Sequence, residues 1–330
     1  MWRNAFQLAT SEESMNRSIG PLVLAGAMLV LAGCGGREER EEEAAEHART
    51  ASAPPIPVNW TAVDQALGRS GAPQPGDVYK FGLPRSDLTV TVDRIQLKPA
   101  LALGSWVAFK ATSSGAVAMG DLVLRDDEIE PVIARLAEGG IEVTAVHHHV
   151  LHETPRVYYM HIHGAGDAVK LAQAVRAAVD LTHTPPPPTG TAAPSAGPLD
   201  IDTARIAQVL GHSGRVNGGV YQVSVARPDT IWEENVVIPP AMGIATALNF
   251  QPTGAGNAAI TGDFVLRASE VNPVLRALRE RGIEVTAVHN HMLDEQPRLF
   301  FMHFWAVGDA VKLAEGLRAA LDKVNIRKPS

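Results

Sequence analysis

The sequence predicts an α+β protein of two tandem homologous domains, each a mostly antiparallel sheet with helices on one face. Three observations predict it. The stretch Asp121–Asp180 returns as Asp263–Asp322 with no gap and more than half of its positions identical. The segment Thr184–Pro198 between the copies is rich in proline, and so reads as a semi-extended spacer with no core of its own. Within each copy the apolar pattern follows the order strand–helix–strand–strand–helix, that of a split βαβ, ferredoxin-like sandwich with extra strands upstream.

The first repeat spans 58–183, the linker 184–198 and the second repeat 199–326. The repeat is as large as a domain, which excludes a solenoid of short modules. A short helix opens each copy, near Thr61–Leu67 and Thr203–Leu210. Strands follow near Tyr79–Leu83, Leu88–Ile95, Ser105–Ala111 and Ala116–Leu124. A helix over Glu128–Glu138 comes next, capped by Asp127 or, in the second copy, Ser269. Pro131 and Pro273 sit in its tolerant first turn, and Gly139, Gly140 and Gly282 end it. Strand Glu142–Leu151, a turn at Pro155 and strand Arg156–His163 lead to a closing helix, Ala168–Val179, capped by Asp167. Its apolar face is Ala168, Leu171, Ala172, Val175 and Val179.

Composition excludes some functions. The net charge is −7 with no long basic run, which argues against a phosphate-backbone binder. Aromatic residues are 5%, too few for a stacking platform on single strands. No nucleic-acid partner is expected.

The start of the chain points to a membrane surface. After Arg17 comes an apolar run, Ile19–Ala32, too short to span a bilayer comfortably and ending in small residues, as a secretory signal does. Leu31, Ala32, Gly33 and Cys34 resemble a bacterial lipobox. That resemblance implies that residues 1–33 are a lipoprotein signal peptide. Cys34, the single cysteine, would take a diacylglyceryl group and head the mature chain. Residues 34–57, with the charged run Arg37–Glu46, would be a flexible tether. The expected location is the cell envelope, lipid-anchored and extracytoplasmic: periplasmic, or at the outer membrane in a host with two membranes. A lipidated Cys34 leaves no thiol for a disulfide or for cysteine chemistry.

The candidate chemistry lies in histidines. With side chains alternating along a strand, His147 and His149 share one face, and so do His161 and His163. A turn centred near Pro155 pairs His147 with His163 and His149 with His161, with cross-strand Cβ atoms about 5 Å apart. Val146, Val150, Tyr158, Met160 and Ile162 would pack on the helices. The histidine face also carries Val143, Ala145, Leu151 and Tyr159, too apolar to stay bare, so the upstream strands or the other repeat should cover it. The second copy keeps His289, His291 and His303 but has Trp305 in place of His163. Three imidazoles with an open position suit zinc, and imidazole also suits copper. One metal site per repeat is expected, holding Zn or Cu. Metal capture or buffering is the reading this favours.

Two other functions stay open. A metal-dependent hydrolase would need a carboxylate base, and Glu153 and Glu295 are the candidates near the turn. A non-enzymatic module would use the histidines to bind a small ligand or an envelope protein. Asp121 and Asp263 start strands beside a glycine and read as turn residues, and His148, matched by Asn290, reads as structural. The sequence carries no P-loop, Gly-x-Ser-x-Gly, Cys-x-x-Cys or His-Glu-x-x-His motif.

The block running from Gly120-Asp121 through Gly140–His147 and Met160-His161 to Gly166-Asp167, with its second copy, resembles the LppY/LpqO family, also described as DUF1259. Members look like bacterial lipoproteins, commonly with two tandem copies, which agrees with the lipobox. The resemblance covers both repeats and implies no established activity. Trp305 is the departure at the histidine positions.

Overall fold

The computed structural model describes residues 54–187 and 198–327. The expected signal peptide, Cys34, nearly all of the tether and most of the linker lie outside the described residues. No helix among the described residues is long and apolar enough to cross a membrane.

The first repeat runs α1 (Trp60–Leu67), β1 (Ala72–Gln74), β2 (Val78–Pro84), β3 (Thr91–Val92), β4 (Ile95–Gln96), α2 (Pro99–Ala102), β5 (Gly104–Thr112), β6 (Gly115–Leu124), α3 (Ile129–Glu138), β7 (Glu142–His147), β8 (Tyr158–Gly166) and α4 (Ala168–Val179). The second repeats this plan: α5 (Thr203–Leu210), β9 (Gly214–Asn217), β10 (Val220–Ala226), β11 (Ile231–Glu233), β12 (Val236–Ile238), β13 (Ala245–Gly254), β14 (Asn257–Leu266), α6 (Ala268–Glu280), β15 (Glu284–His289), β16 (Phe300–Asp309) and α7 (Ala310–Leu321). Each copy is a six-stranded antiparallel sheet, ordered β1-β2-β5-β6-β8-β7 in the first and β9-β10-β13-β14-β16-β15 in the second. β8 lies between β6 and β7 and runs antiparallel to both, which is the split βαβ arrangement the sequence predicts.

Strand β6 explains how the sheets are placed. All ten of its residues are buried, so both faces of this antiparallel sheet are covered. Helices α1, α3 and α4 cover one face around Phe81, Phe109, Leu122, Met160 and Ile162. The other face meets the second repeat, whose own helices lie on its far side around Phe250, Phe264 and Phe304. The layers are therefore helices, sheet, sheet, helices. The upstream residues expected as one strand over Leu88–Ile95 form instead the two-residue hairpin β3–β4 with α2. This arm wedges between the sheets, where Val90, Val92, Leu97 and Leu101 pack on Tyr159 and on Val220, Ala259 and Trp305 of the second repeat. The second arm does the same in reverse: Ile231, Ile238 and Met242 pack on Phe301 and on Ala108, Val117 and Met119 of the first. The histidine face is thus covered both by the upstream segments and by the other repeat.

A buried ion pair fixes each sheet to its helix. Arg85, fully buried, donates to Glu128, Asp87 and the carbonyl of Val123; Arg227 donates in the same way to Glu270, Asp229 and the carbonyl of Val265. Glu128 and Glu270 also accept from the backbone N–H of Arg125 and Arg267, three residues back. These carboxylates do the capping expected of Asp127 and Ser269; Ser269 lies inside α6, and Asp127 sits in the single turn before α3. Asp167 does cap α4, accepting from Val169 and Lys170.

Candidate metal centre

The ladder between β7 and β8 slips at Thr144, where a β-bulge separates Val143 and Ala145. As a result His147 lies opposite Tyr159, His161 opposite Ala145 and His163 opposite Glu142. The pairings expected from the turn, His147 with His163 and His149 with His161, do not form. The strand also ends at His147 rather than Leu151, which leaves His149 in the following loop. The bulge turns Val143 back to the helix side, where it packs on that core, and leaves Val146 exposed. Val150 packs on the inter-sheet side instead. The bulge is also a contact point, since Thr144 Oγ1 donates to the carbonyl of His291 at 2.6 Å. Thr286 returns the bond to the carbonyl of His149, also at 2.6 Å. Each repeat thereby holds the other's histidine loop.

These bonds bring the two histidine faces together. His147 stacks on His289 with ring centres 3.8 Å apart, His161 on His291 at 3.7 Å, and His149 approaches His303 at 3.8 Å. Six histidines, three from each repeat, form one cluster on a pseudo-twofold axis rather than one site per repeat. Two close nitrogen contacts run through it: Nε2 of His147 to Nε2 of His303 at 3.2 Å, and Nε2 of His289 to Nε2 of His291 at 3.1 Å.

Backbone carbonyls select the tautomers. Nδ1 of His161 lies 3.3 Å from the carbonyl of Gly120, Nδ1 of His303 is 2.6 Å from that of Gly262, and Nδ1 of His291 is 3.1 Å from that of Gly243. A carbonyl only accepts, so each Nδ1 carries the proton and each Nε2 presents a lone pair inward. This is how a metal-ligating histidine is usually oriented. Gly262 must be glycine, because a Cβ there would overlap the carbonyl of Ala247.

Two carboxylates complete the cluster. Asp121 lies opposite His161 in the ladder, and Asp263 opposite His303. Oδ2 of Asp263 is 3.0 Å from Nε2 of His291, and Oδ2 of Asp121 is 3.4 Å from Nε2 of His149. Their turn-like reading from sequence is overturned, since both stand inside ten-residue strands. The available signal was a lone charge within an apolar strand, in the same place in both copies.

Burial dominates the electrostatics of the cluster. Burial, then the other histidines, pushes the His147, His149, His161 and His289 imidazoles well down, and burial holds His291 at about 3. The rings are thus neutral at ordinary pH, the ligating form. Burial, then repulsion from Asp263, raises Asp121 to about 8; burial raises Asp263 to about 6 against the pull of His303. Among the described residues no hydrogen-bond partner reaches Nε2 of His149 and His161, Nδ1 of His147 and His289, or Oδ1 of Asp121 and Asp263. Buried polar atoms are rarely left unpaired. Two groups could hold a metal ion, His147/His289/His303 and His161/His289/His291, with ligand atoms in each group within 4.8 Å of one another. Two imidazole nitrogens on one tetrahedral zinc stand roughly 3.3 Å apart, close to the 3.1 and 3.2 Å contacts.

The remaining predicted residues stand elsewhere. His163 is buried in the ladder row of Met119 and Glu142, its Nδ1 3.6 Å from the Glu142 carboxylate, and it belongs to neither group. Trp305, its counterpart, donates to Asp93. Glu153 lies 3.5 Å from His148. Glu295, fully buried, accepts from the N–H of Leu299 and from Arg298, which makes it part of the turn.

The family model described as a Domain of Unknown Function (DUF1259) matches residues 61–181 and again 204–323. The chain belongs to the DUF1259 family. Its two copies of that domain are the two repeats whose histidines meet. No curated protein matches the chain. Among solved structures it is similar to a trimeric bacterial microcompartment shell protein, PduB, at 16% identity over 76% of this chain and 89% of that one, with a TM-score of 0.19. EtuB from Clostridium kluyveri is similar at 10% identity over 78% of this chain and 96% of that one, also with a TM-score of 0.19.

Proposed function

We propose that this protein binds a transition metal, zinc or copper, at one centre built jointly by its two DUF1259 domains. The observation that carries the reading is the crowding of six buried, neutral imidazoles: carbonyls hold the Nδ1 side of His161, His291 and His303, and among the described residues Nε2 of His149 and of His161 has no hydrogen-bond partner. Nitrogen-rich donor sets of this kind suit zinc and copper over magnesium or calcium. Burial of the cluster favours holding a metal over turning over a bulky substrate, so the role proposed is metal capture or buffering. The lipobox resemblance at Cys34 supports the further reading that this role is exercised at the cell envelope, on a lipid-anchored chain of the LppY/LpqO kind.

The test is elemental analysis of the full chain purified in detergent without a histidine tag, beside a His161→Gln/His303→Gln variant. Near-stoichiometric zinc or copper in the parent and a loss of most of it in a variant with unchanged circular dichroism is the expected result. A parent that takes up no metal after incubation with zinc or copper ends the metal reading.

A further inference from the structure

The nitrogen contacts divide the cluster into two halves. Nε2 of His147 reaches towards His303, while Nε2 of His289, whose ring is stacked 3.8 Å from that of His147, reaches towards His291.

The carboxylates divide in the same way. Asp263 closes on His291, and Asp121 on His149. Moving by the repeat offset takes His161, His289, His291 and Asp263 onto His303, His147, His149 and Asp121. The first of these sets contains one of the two compact histidine groups whole. The second contains two members of the other group, in which His289 stands where the offset calls for His149. Each set takes ligands from both repeats.

We propose that the centre holds two transition-metal ions, one on His161, His289, His291 and Asp263 and the other on His147, His149, His303 and Asp121. The inference rests on the metal reading above and gives it a stoichiometry, a mixed nitrogen–oxygen donor set and a carboxylate in each half. Both aspartates bind as carboxylates, each releasing any proton it carries when its ion enters.

The test is titration of the metal-free full chain with Cu(II), read by elemental analysis after desalting and by electron paramagnetic resonance. Two copper ions per chain with spin–spin coupling in the spectrum is the expected result. Asp121→Asn and Asp263→Asn should each halve the metal content, abolish the coupling and leave the circular dichroism intact. One ion per chain, unchanged by either aspartate variant, overturns the two-ion inference while sparing the metal reading. No ion at all overturns both. A variant that fails to fold is replaced by Asp121→Glu or Asp263→Glu, which keeps the carboxylate and should retain two ions with altered coupling; two ions with unaltered coupling would overturn the role of the carboxylates.

Discussion

The two repeats differ most where the metal proposal needs them least. Each copy supplies a histidine at the end of its edge strand, one two residues later, and one in the middle of the next strand beside an aspartate. Around this shared set the copies diverge. Tyr159, stacked on His149, is matched by Phe301 stacked on His291. Trp106, opposite Asp121 in the ladder, is matched by Ala247 opposite Asp263. His163 is matched by Trp305. Lys80 lies over the Trp106 ring and donates to the carbonyl of Ala241 in the second repeat, while Gln222 takes its place in the other copy. The shared residues are those on the axis where the faces touch, and the divergent ones line the arms and outer rows. The histidine cluster is accordingly built by the pair of repeats, not by either one alone.

The comparison can be broken first through stability. Arg85→Met takes the guanidinium from buried Glu128 and Arg227→Met takes it from part-buried Glu270, at a cost of up to roughly 3–5 kcal/mol. Thermal unfolding should show drops of similar size in the two variants, about ten degrees each. A large drop in only one would mean that the repeats are not equivalent in their framework.

A pH titration sharpens the same pair. Burial alone would raise Glu128, but the Arg85 guanidinium and the N–H groups of Arg125 and His183 pull it down to about 2. A depressed carboxylate adds stability that is present above its unfolded value of 4.5 and lost as pH falls towards 2. Denaturant midpoints should fall across that window, and the fall should be smaller in Glu128→Gln.

Exchanging the copies at the outer row has a smaller effect. His163→Trp and Trp305→His should leave metal content unchanged, with stability altered by packing alone. Loss of metal in His163→Trp would put His163 back among the ligands. The smallest effect belongs to Tyr159→Phe, which makes the first copy resemble the second. The Tyr159 hydroxyl is buried with no hydrogen-bond partner among the described residues, so its removal should change stability by less than about 1 kcal/mol.

The duplication, the longer helices and the strand–helix–strand–strand–helix order of the repeated block were legible because each rests on the sequence pattern itself; the arm expected as one strand over Leu88–Ile95 was not. α4 begins after Asp167, whose side chain caps it, and the repeated block sets the two copies in register with each other. The register of the hairpin was not legible. Thr144 reads as an ordinary strand residue, and the bulge there is fixed by a hydrogen bond to His291, more than a hundred residues away. The same non-local contact hid the joint centre. Alternation places His147 and His149 on one face, but nothing in either copy says which surface that face will meet. Asp121 was misread because Gly-Asp is common turn chemistry; the lone charge in an apolar strand was the signal, and the full burial of β6 brings out its meaning.

The central claim is that the two DUF1259 domains share one centre, and His289 tests it most directly because it belongs to both histidine groups. Cu(II) binding to a His289→Ala chain, compared with the parent by titration and by electron paramagnetic resonance, is the measurement. A shared centre predicts that the copper the variant keeps has a changed spectrum, with the spin–spin coupling of the parent lost. Retention of half the copper with parent-like spectrum and affinity would mean two independent sites, one per repeat, and would contradict the account.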